Sequence, residues 1–295
     1  MKFVKKPTSF DVQVEKLKSR GLIIEDEVFA EKHLSSINYY RLRGYTYPFQ
    51  DINKHFIKPI RFEEIIDLYF FDSKLRSLVF DAIERIEIAL RTQIIYHFSL
   101  AFGSHWQEYE NLFKNKEFFY TNNETLQIEI ERSKEDFIKH YLRKYTNPKQ
   151  PPSWMTFEVA SFGLLSKIFM NLKRNEYKEN IAKHFGIKDT EVLENWMLCF
   201  CDVRNICAHH SRLWNRVIKK IRLLKKPLYE FITNKNIHTN KMYSILSCIQ
   251  YMLERILQKN TFKNDLIELM KTCPLNQAKN MGFPENWQDD KFWQI

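Results

Sequence analysis

Residues 61–102, RFEEIIDLYFFDSKLRSLVFDAIERIEIALRTQIIYHFSLAF, decide how the rest of the chain is read. Ile65, Leu68, Leu75, Leu78, Val79, Ile83, Ile86, Leu90 and Ile94 recur at steps that keep to one face of an α-helix. No proline or glycine interrupts them. One straight helix of that length would run about 60 Å, so a break is expected near Asp72 and Ser73. Glu84, Glu87 and Arg91 share a face of this segment, and Glu87 and Arg91 stand in the favourable i,i+4 order. That stripe is either an ordinary solvated charged face or the polar lining of a site.

Outward from this segment the chain stays helical. Thr8 with Asp11 makes a capping-box-like start, and Gly21 supplies a stop. Asp26 can cap a second short helix through about Ser36. Residues 37–49 are dense in aromatics and broken by Gly44 and Pro48. On the other side, residues 103–150 read as a polar, partly helical insertion that closes on the linker Pro148-Lys-Gln-Pro-Pro152. Helical spacing resumes at Phe157, Ala160, Leu164 and Ile168. Asp189 or Thr190 then starts a helix expected to run through Trp196 towards Trp214, and Lys225-Lys226-Pro227 ends that region. Residues 241–272 fit one or two further helices, and the tail from Cys273 is irregular. No strand alternation stands out. The expected fold is all-α, in three segments: 1–60, 61–230 with the insertion at 103–150, and 231–295.

Composition narrows the function. The 295 residues hold only six glycines, none clustered, which argues against glycine-rich phosphate loops and against a turn-dense β fold. No apolar run approaches a membrane span, so no membrane-spanning helix is expected, and no membrane is counted among the partners. The basic start, Met1 to Lys6, is followed by no apolar signal region, and the cysteine count of five is odd. Both point to a cytoplasmic chain with reduced thiols. The net charge of +10 suggests an anionic partner, nucleic acid first and a membrane surface second. Lys, Asn, Ile, Phe and Tyr are all abundant and share A/T-rich codons, so the position of the charge says more than its total.

That position is informative. From Cys201 to Lys226 stand eight basic residues, Arg204, Arg212, Arg216, Lys219, Lys220, Arg222, Lys225 and Lys226, against Asp202 alone, a local charge of +7. The same stretch holds Asn205 and the adjacent His209 and His210. A metal site built from Cys199, Cys201, Cys207, His209 and His210 is disfavoured, because Cys199 and Cys201 lie about 200° apart around a helix and diverge. A second chemical reading is RNA cleavage: attack by a 2′-hydroxyl needs a group of near-neutral pKa to move protons and a cation on the developing phosphorane, which His and Arg supply without cofactor or metal. Taken on chemistry alone, a histidine in a basic segment is more often structural or a simple phosphate contact. Arg204 and His209, at i and i+5, stand about 140° apart on a regular helix, whereas Asn205 and His209 share a face. Asn205 is therefore expected to orient the His209 ring. Arg204 is expected to reach round the helix or to meet His209 of a second copy. His210 faces elsewhere and reads as a packing or RNA-contacting histidine.

The spacing Arg204-Asn205-x-x-x-His209 resembles the signature of the HEPN ribonuclease superfamily. Several separated motifs, in order, resemble the bacterial abortive-infection (Abi) family of AbiD/AbiF type over roughly residues 8–230. They are Ile37-Asn-Tyr-Tyr-Arg-Leu-Arg-Gly-Tyr45 with Tyr47-Pro-Phe49, Phe71-Asp-x-Lys-Leu-Arg76, and the stretch from Asp81 to Arg91. Pro152-x-Trp-Met155, Ser161-Phe-Gly163 and the stretch from Arg204 to Arg216 complete the set. The resemblance implies a HEPN-like helical bundle with an N-terminal helical extension and additional C-terminal helices, a role in phage defence, and a homodimer that pairs two copies of the motif in one cleft. It also implies that Arg204 and His209 are catalytic, assisted by Asn205, and that Glu84, Glu87 and Arg91 brace them.

RNA contacts are expected from His210, Arg212, Arg216, Lys219, Lys220 and Arg222. A second set is expected from Tyr39, Tyr40, Arg41 and Arg43, where tyrosine faces could stack unpaired bases and arginines hold phosphates. The bland alternative is that these tyrosines pack the core. The rival function is a non-catalytic RNA-binding protein that forms a ribonucleoprotein with a small structured non-coding RNA. The last 65 or so residues carry no matching motif.

Overall fold

The computed structural model describes residues 2, 4 and 6–295, so part of the basic start lies outside the described residues. Twelve α-helices are present among these: α1 (Phe10–Lys18), α2 (Glu27–Ser36), α3 (Tyr39–Thr46), α4 (Phe62–Phe102), α5 (Lys116–Arg132), α6 (Asp136–Lys144), α7 (Ser153–Val159), α8 (Phe162–Asn171), α9 (Glu176–His184), α10 (Thr190–Ala208), α11 (Met242–Ile256) and α12 (Phe262–Lys271). The described strands are β1 (Leu22–Ile23) and β2 (Ile60–Arg61), paired in parallel. The fold is all-α. Two compact units form, residues 1–76 with 267–278, and residues 77–266 with 279–295.

In the first unit, Asp26 caps α2 by accepting from the Phe29 amide, and Gly21 turns the chain after α1 at φ +91°. The helix start at Thr8 is displaced: α1 begins at Phe10 behind Ser9. Leu42, Tyr45 and Phe49 are buried, as are Leu68, Phe71 and Leu75 of α4, and the Tyr45 ring meets that of Tyr69 edge-on at 5.3 Å. The expected break at Asp72 and Ser73 does not occur, and α4 runs unbroken for 41 residues. Asp72 is buried, pairs with Arg76 one turn on, and accepts the Tyr45 hydroxyl at 2.5 Å. Asp72 is thus half of an internal ion pair that anchors the helix, not a point of exit to solvent.

In the second unit, α8 packs on both α5 and α10, and α10 also contacts α9 and α11. The helical pattern of residues 153–171 is divided. Ala160 has extended backbone and Ser161 restarts the helix, its hydroxyl accepting from the Leu164 amide. Carbonyls freed at this division would be costly if unpaired. The Arg91 guanidinium donates to three of them, the oxygens of Phe157 and Glu158 at 2.7 Å and of Ala160 at 3.1 Å. Glu129 accepts the Ser161 amide at 2.8 Å from the opposite polarity.

The motif-free C-terminal part supplies the most enclosed helix. Every residue of α11 from Met242 to Leu253 is buried. An element apolar all round belongs inside a core, and its polar members bond within reach: Ser244 to the Lys241 carbonyl at 2.7 Å and Ser247 to the Tyr243 carbonyl at 2.8 Å. Among the described residues no helix is long and apolar enough to cross a membrane.

Candidate functional site

The site is built on the last turn of α10. Asp189 caps the helix start by accepting the Glu191 amide at 3.0 Å. Leu193, Trp196, Met197, Phe200, Val203 and Cys207 bury one face and fix the helix against the core. The helix ends at Ala208, short of the expected run towards Trp214. His209 is the C-cap, and His210 takes the left-handed conformation at φ +52°. The amides of His210 and Ser211 bond the carbonyls of Cys207 and Ile206, each at 3.0 Å. That is the two-bond stop normally made with glycine, here made with a histidine. It turns the chain sharply and leaves the His209 side chain exposed at the helix end.

A cleft of about 430 Å³ lies against this turn, lined by Asp202, Asn205, His209, Ser211, Arg216 and Lys219 among others. Lys219 bonds Asp202 at 2.8 Å, which leaves Arg216 as the other basic side chain of the lining. Arg216 is held by its bond to the Arg212 carbonyl at 3.2 Å. Ser211 and Asp202 had no signal of their own in the sequence. Their place here follows from the helix stop and from the return of residues 216–219 alongside α10.

Arg204 does not line this cleft. Its guanidinium lies 5.6 Å from the Phe80 ring centre and 3.4 Å from Asn205 Oδ1. It also lies within electrostatic reach of Glu87, whose carboxyl is pushed up by burial and drawn back first by Arg91 and then by Arg204. Asn205 engages Arg204 through its oxygen and faces Cys201 Sγ at 3.8 Å through its nitrogen, so in this structure its amide couples to Arg204 and not to the His209 ring. Glu87 and Arg91 form a largely buried ion pair at 2.7 Å, while Glu84 is exposed. The charged stripe of α4 is therefore a structural staple at Arg91 and an electrostatic neighbour of Arg204 at Glu87.

The remaining basic residues divide by partner. Arg212 lies over the Trp214 ring at 5.5 Å. Arg222 pairs with Glu191 at 3.0 Å, and Lys220 is exposed while its carbonyl accepts from Asn195. Tyr39, Tyr40, Arg41 and Arg43 belong to the other unit. Tyr39 accepts from Arg20 at 2.8 Å and is half-buried, Tyr40 is 65% exposed, Arg41 is exposed and Arg43 is half-buried. Tyr45 and Phe49 are core.

The cysteines diverge as their spacing suggests: Cys199 Sγ faces the carbonyls of Lys219 and Lys220, Cys201 Sγ faces Asn205, and burial pushes the Cys199 thiol up to about 12. Among the described residues, no group of three or more His, Cys, Asp or Glu side chains is placed to hold a metal ion.

Comparisons among curated proteins and among solved structures find no match. The sequence model of one family matches residues 32–215, more than half of the chain. That span runs from α2 through α4 to the turn that carries His209, His210 and Ser211, and by it the chain belongs to the Abi-like protein family.

Proposed function

We propose that this protein is a metal-independent endoribonuclease of HEPN type and AbiD/AbiF-like kind, acting in the cytoplasm as a homodimer. Membership of the Abi-like family supports a role in abortive infection. The observation that carries the chemistry is the exposed His209 at the mouth of a cleft it shares with Asn205, Ser211, Arg216 and Lys219. A phosphate seated there would meet an imidazole, a hydroxyl and cationic side chains. The one carboxylate of the lining, Asp202, is paired with Lys219.

In this reading His209 takes the proton from a ribose 2′-hydroxyl. The 2′-oxygen attacks the adjacent phosphorus, and the phosphorane charge is met by arginine. The bond from phosphorus to the 5′-oxygen breaks, and the protonated His209 imidazole returns its proton to that oxygen as it leaves. The products are a 2′,3′-cyclic phosphate and a 5′-hydroxyl. Arg204 does not line the His209 cleft of its own chain, and in this reading a second copy brings its Arg204 to that cleft.

The test is cleavage of a labelled RNA in EDTA by wild type, Arg204→Ala and His209→Ala, with circular dichroism to check folding. Wild type should cleave and leave cyclic-phosphate ends, and each variant should lose activity. Mixing the two inactive variants should restore part of it, because a mixed dimer holds one intact pairing. Abolition by EDTA, or full activity in either variant, overturns the proposal.

A further inference from the structure

The segment after the His209 turn is laid along α10 in the reverse direction. Lys219 pairs with Asp202, and the carbonyls of Lys219 and Lys220 face Cys199. Asn195 then bonds the Lys220 carbonyl at 3.2 Å and the Arg222 amide at 2.7 Å, and the Trp196 indole donates to the Arg222 carbonyl at 2.7 Å. Arg222 reaches Glu191, almost at the helix start. Rising numbers in the segment thus meet falling numbers in α10.

The segment has a three-residue rhythm. Ile218, Ile221 and Leu224 are buried, while Lys219, Lys220, Arg222, Lys225 and Lys226 are exposed. The other edge is fixed by the amides of Ile218 and Ile221, which bond the carbonyls of Asn240 and Thr239 at 3.0 and 2.9 Å. It is an anchored strap with an apolar underside and a cationic outer row.

The strap joins two openings. At one end is the His209 cleft. At the other, by Asp189, is a larger groove of about 800 Å³, with Val192, Ile221 and Leu224 in its floor and Lys188, Lys225 and Lys226 on its rim. Asp189 is the acidic residue of the lining, and Arg222, also in the lining, is paired with Glu191. The distance from Asp189 to His209 along α10 is about 30 Å at 1.5 Å per residue.

We propose that this strap and its terminal groove form a binding site for single-stranded RNA, separate from the cleavage cleft, which holds the substrate strand about 30 Å from the scissile phosphate. The inference rests on the ribonuclease reading for its substrate class. A row of cations tracks a phosphate backbone, and an apolar floor accepts an unpaired base, which a duplex does not offer. In-line attack by a 2′-oxygen also requires a strand free to leave helical geometry. A strand of ~4 nucleotides cannot span the distance even at twice the stacked spacing of ~3.4 Å per nucleotide, and one of ~16 can.

The experiment uses the full chain with fluorescein-labelled oligouridylates of ~4 and ~16 nucleotides, read by fluorescence anisotropy over a salt series and by cleavage. The variant is Lys188→Ala/Lys225→Ala/Lys226→Ala, whose three lysines are exposed. A charge-matched control is Lys139→Ala/Lys144→Ala/Lys183→Ala, exposed on α6 and α9. Wild type should favour the long strand, and that advantage should collapse in the first variant and persist in the control. Each phosphate contact contributes ~0.7 to the salt slope of a single strand, so the first variant should lose ~2, and between ~50 and ~200 mM salt its binding should fall about 20-fold less than wild type's. Long-strand cleavage should show a raised KM with kcat retained. An unchanged slope and length preference, an equal effect in the control, or stronger binding to duplex RNA or to anionic phosphatidylserine vesicles overturns the proposal. Cleavage with no length preference removes the strap site and leaves the nuclease reading standing. Length-dependent binding without cleavage removes the nuclease reading and leaves the strap site.

Discussion

Replacing Arg91 by methionine tests the staple that holds the α7–α8 division. Methionine keeps the length and apolar stem of the side chain and removes the guanidinium. Four acceptors lose it at once: Glu87 at 2.7 Å and the carbonyls of Phe157, Glu158 and Ala160. The Phe157 carbonyl keeps the Ala160 amide at 3.3 Å, so the loss falls on Glu158, Ala160 and the Glu87 charge. Breaking a buried ion pair by removing one partner costs ~3–5 kcal/mol, and about 4 kcal/mol is expected here. For a unit of this size that lowers the Tm by roughly 8–16 °C.

The cost should depend on pH in a definite sense. Burial holds the Glu87 carboxyl above its ordinary range, and Arg91 is the strongest influence drawing it back. A group with a raised folded pKa contributes its stability fully below the unfolded pKa and loses it as pH rises through the folded one. Without Arg91 the folded pKa climbs further, so the charged form is penalised at neutral pH and relieved by protonation in acid. The penalty of Arg91→Met should therefore be largest near pH ~7 and fall to about half by pH ~5, leaving the carbonyl contribution. Urea titrations followed by far-UV circular dichroism at several pH values measure this. A loss below about 1 kcal/mol at neutral pH, or a loss that does not shrink towards acid, would refute the reasoning.

Two further outcomes follow from buried polar groups. In the first unit, Tyr45→Phe removes the hydroxyl bonded to Asp72 and should cost about 1–2 kcal/mol, whereas Asp72→Asn strands Arg76 and should cost ~3–5 kcal/mol, with faster hydrogen exchange across α3. Equal effects of the two in urea titrations would contradict the network. In the second unit Lys178 is buried, bonds Glu194 at 2.6 Å, and is drawn down by burial to about 8. A depressed folded pKa means stability that rises as pH climbs from about 8 towards the ordinary 10.5 and is lost on the way down. Lys178→Met should remove that alkaline rise from the Tm profile, and an unchanged profile would count against it.

Much of the architecture was legible in local pattern. The apolar spacing of residues 61–102 marks α4, and Asp26 and Asp189 mark two helix starts, because periodicity and caps act within a few residues. The end of α10 was not legible. His210 in the left-handed conformation stops the helix where the residue type advises no stop. The partnership of Asn205 was not legible either. Its amide goes to Arg204 and Cys201 because α4, carrying Phe80 and Glu87, faces that side of α10. The continuity of α4 through Asp72 depended on Tyr45 arriving from another element.

By itself the sequence determined that the chain is helical and that its positive charge gathers just after an Arg–Asn–His motif. Both are matters of order along the chain. Only the tertiary structure decided which charges are answered and where the rest point. It pairs Lys219 with Asp202 and Arg222 with Glu191, and buries Ile218, Ile221 and Leu224 to turn a run of basic residues into a row beside α10. It also buried α11, which carries no motif, from Met242 to Leu253. Burial and ion pairing join residues far apart in the chain, and the free energy of each depends on what else arrives at the same place.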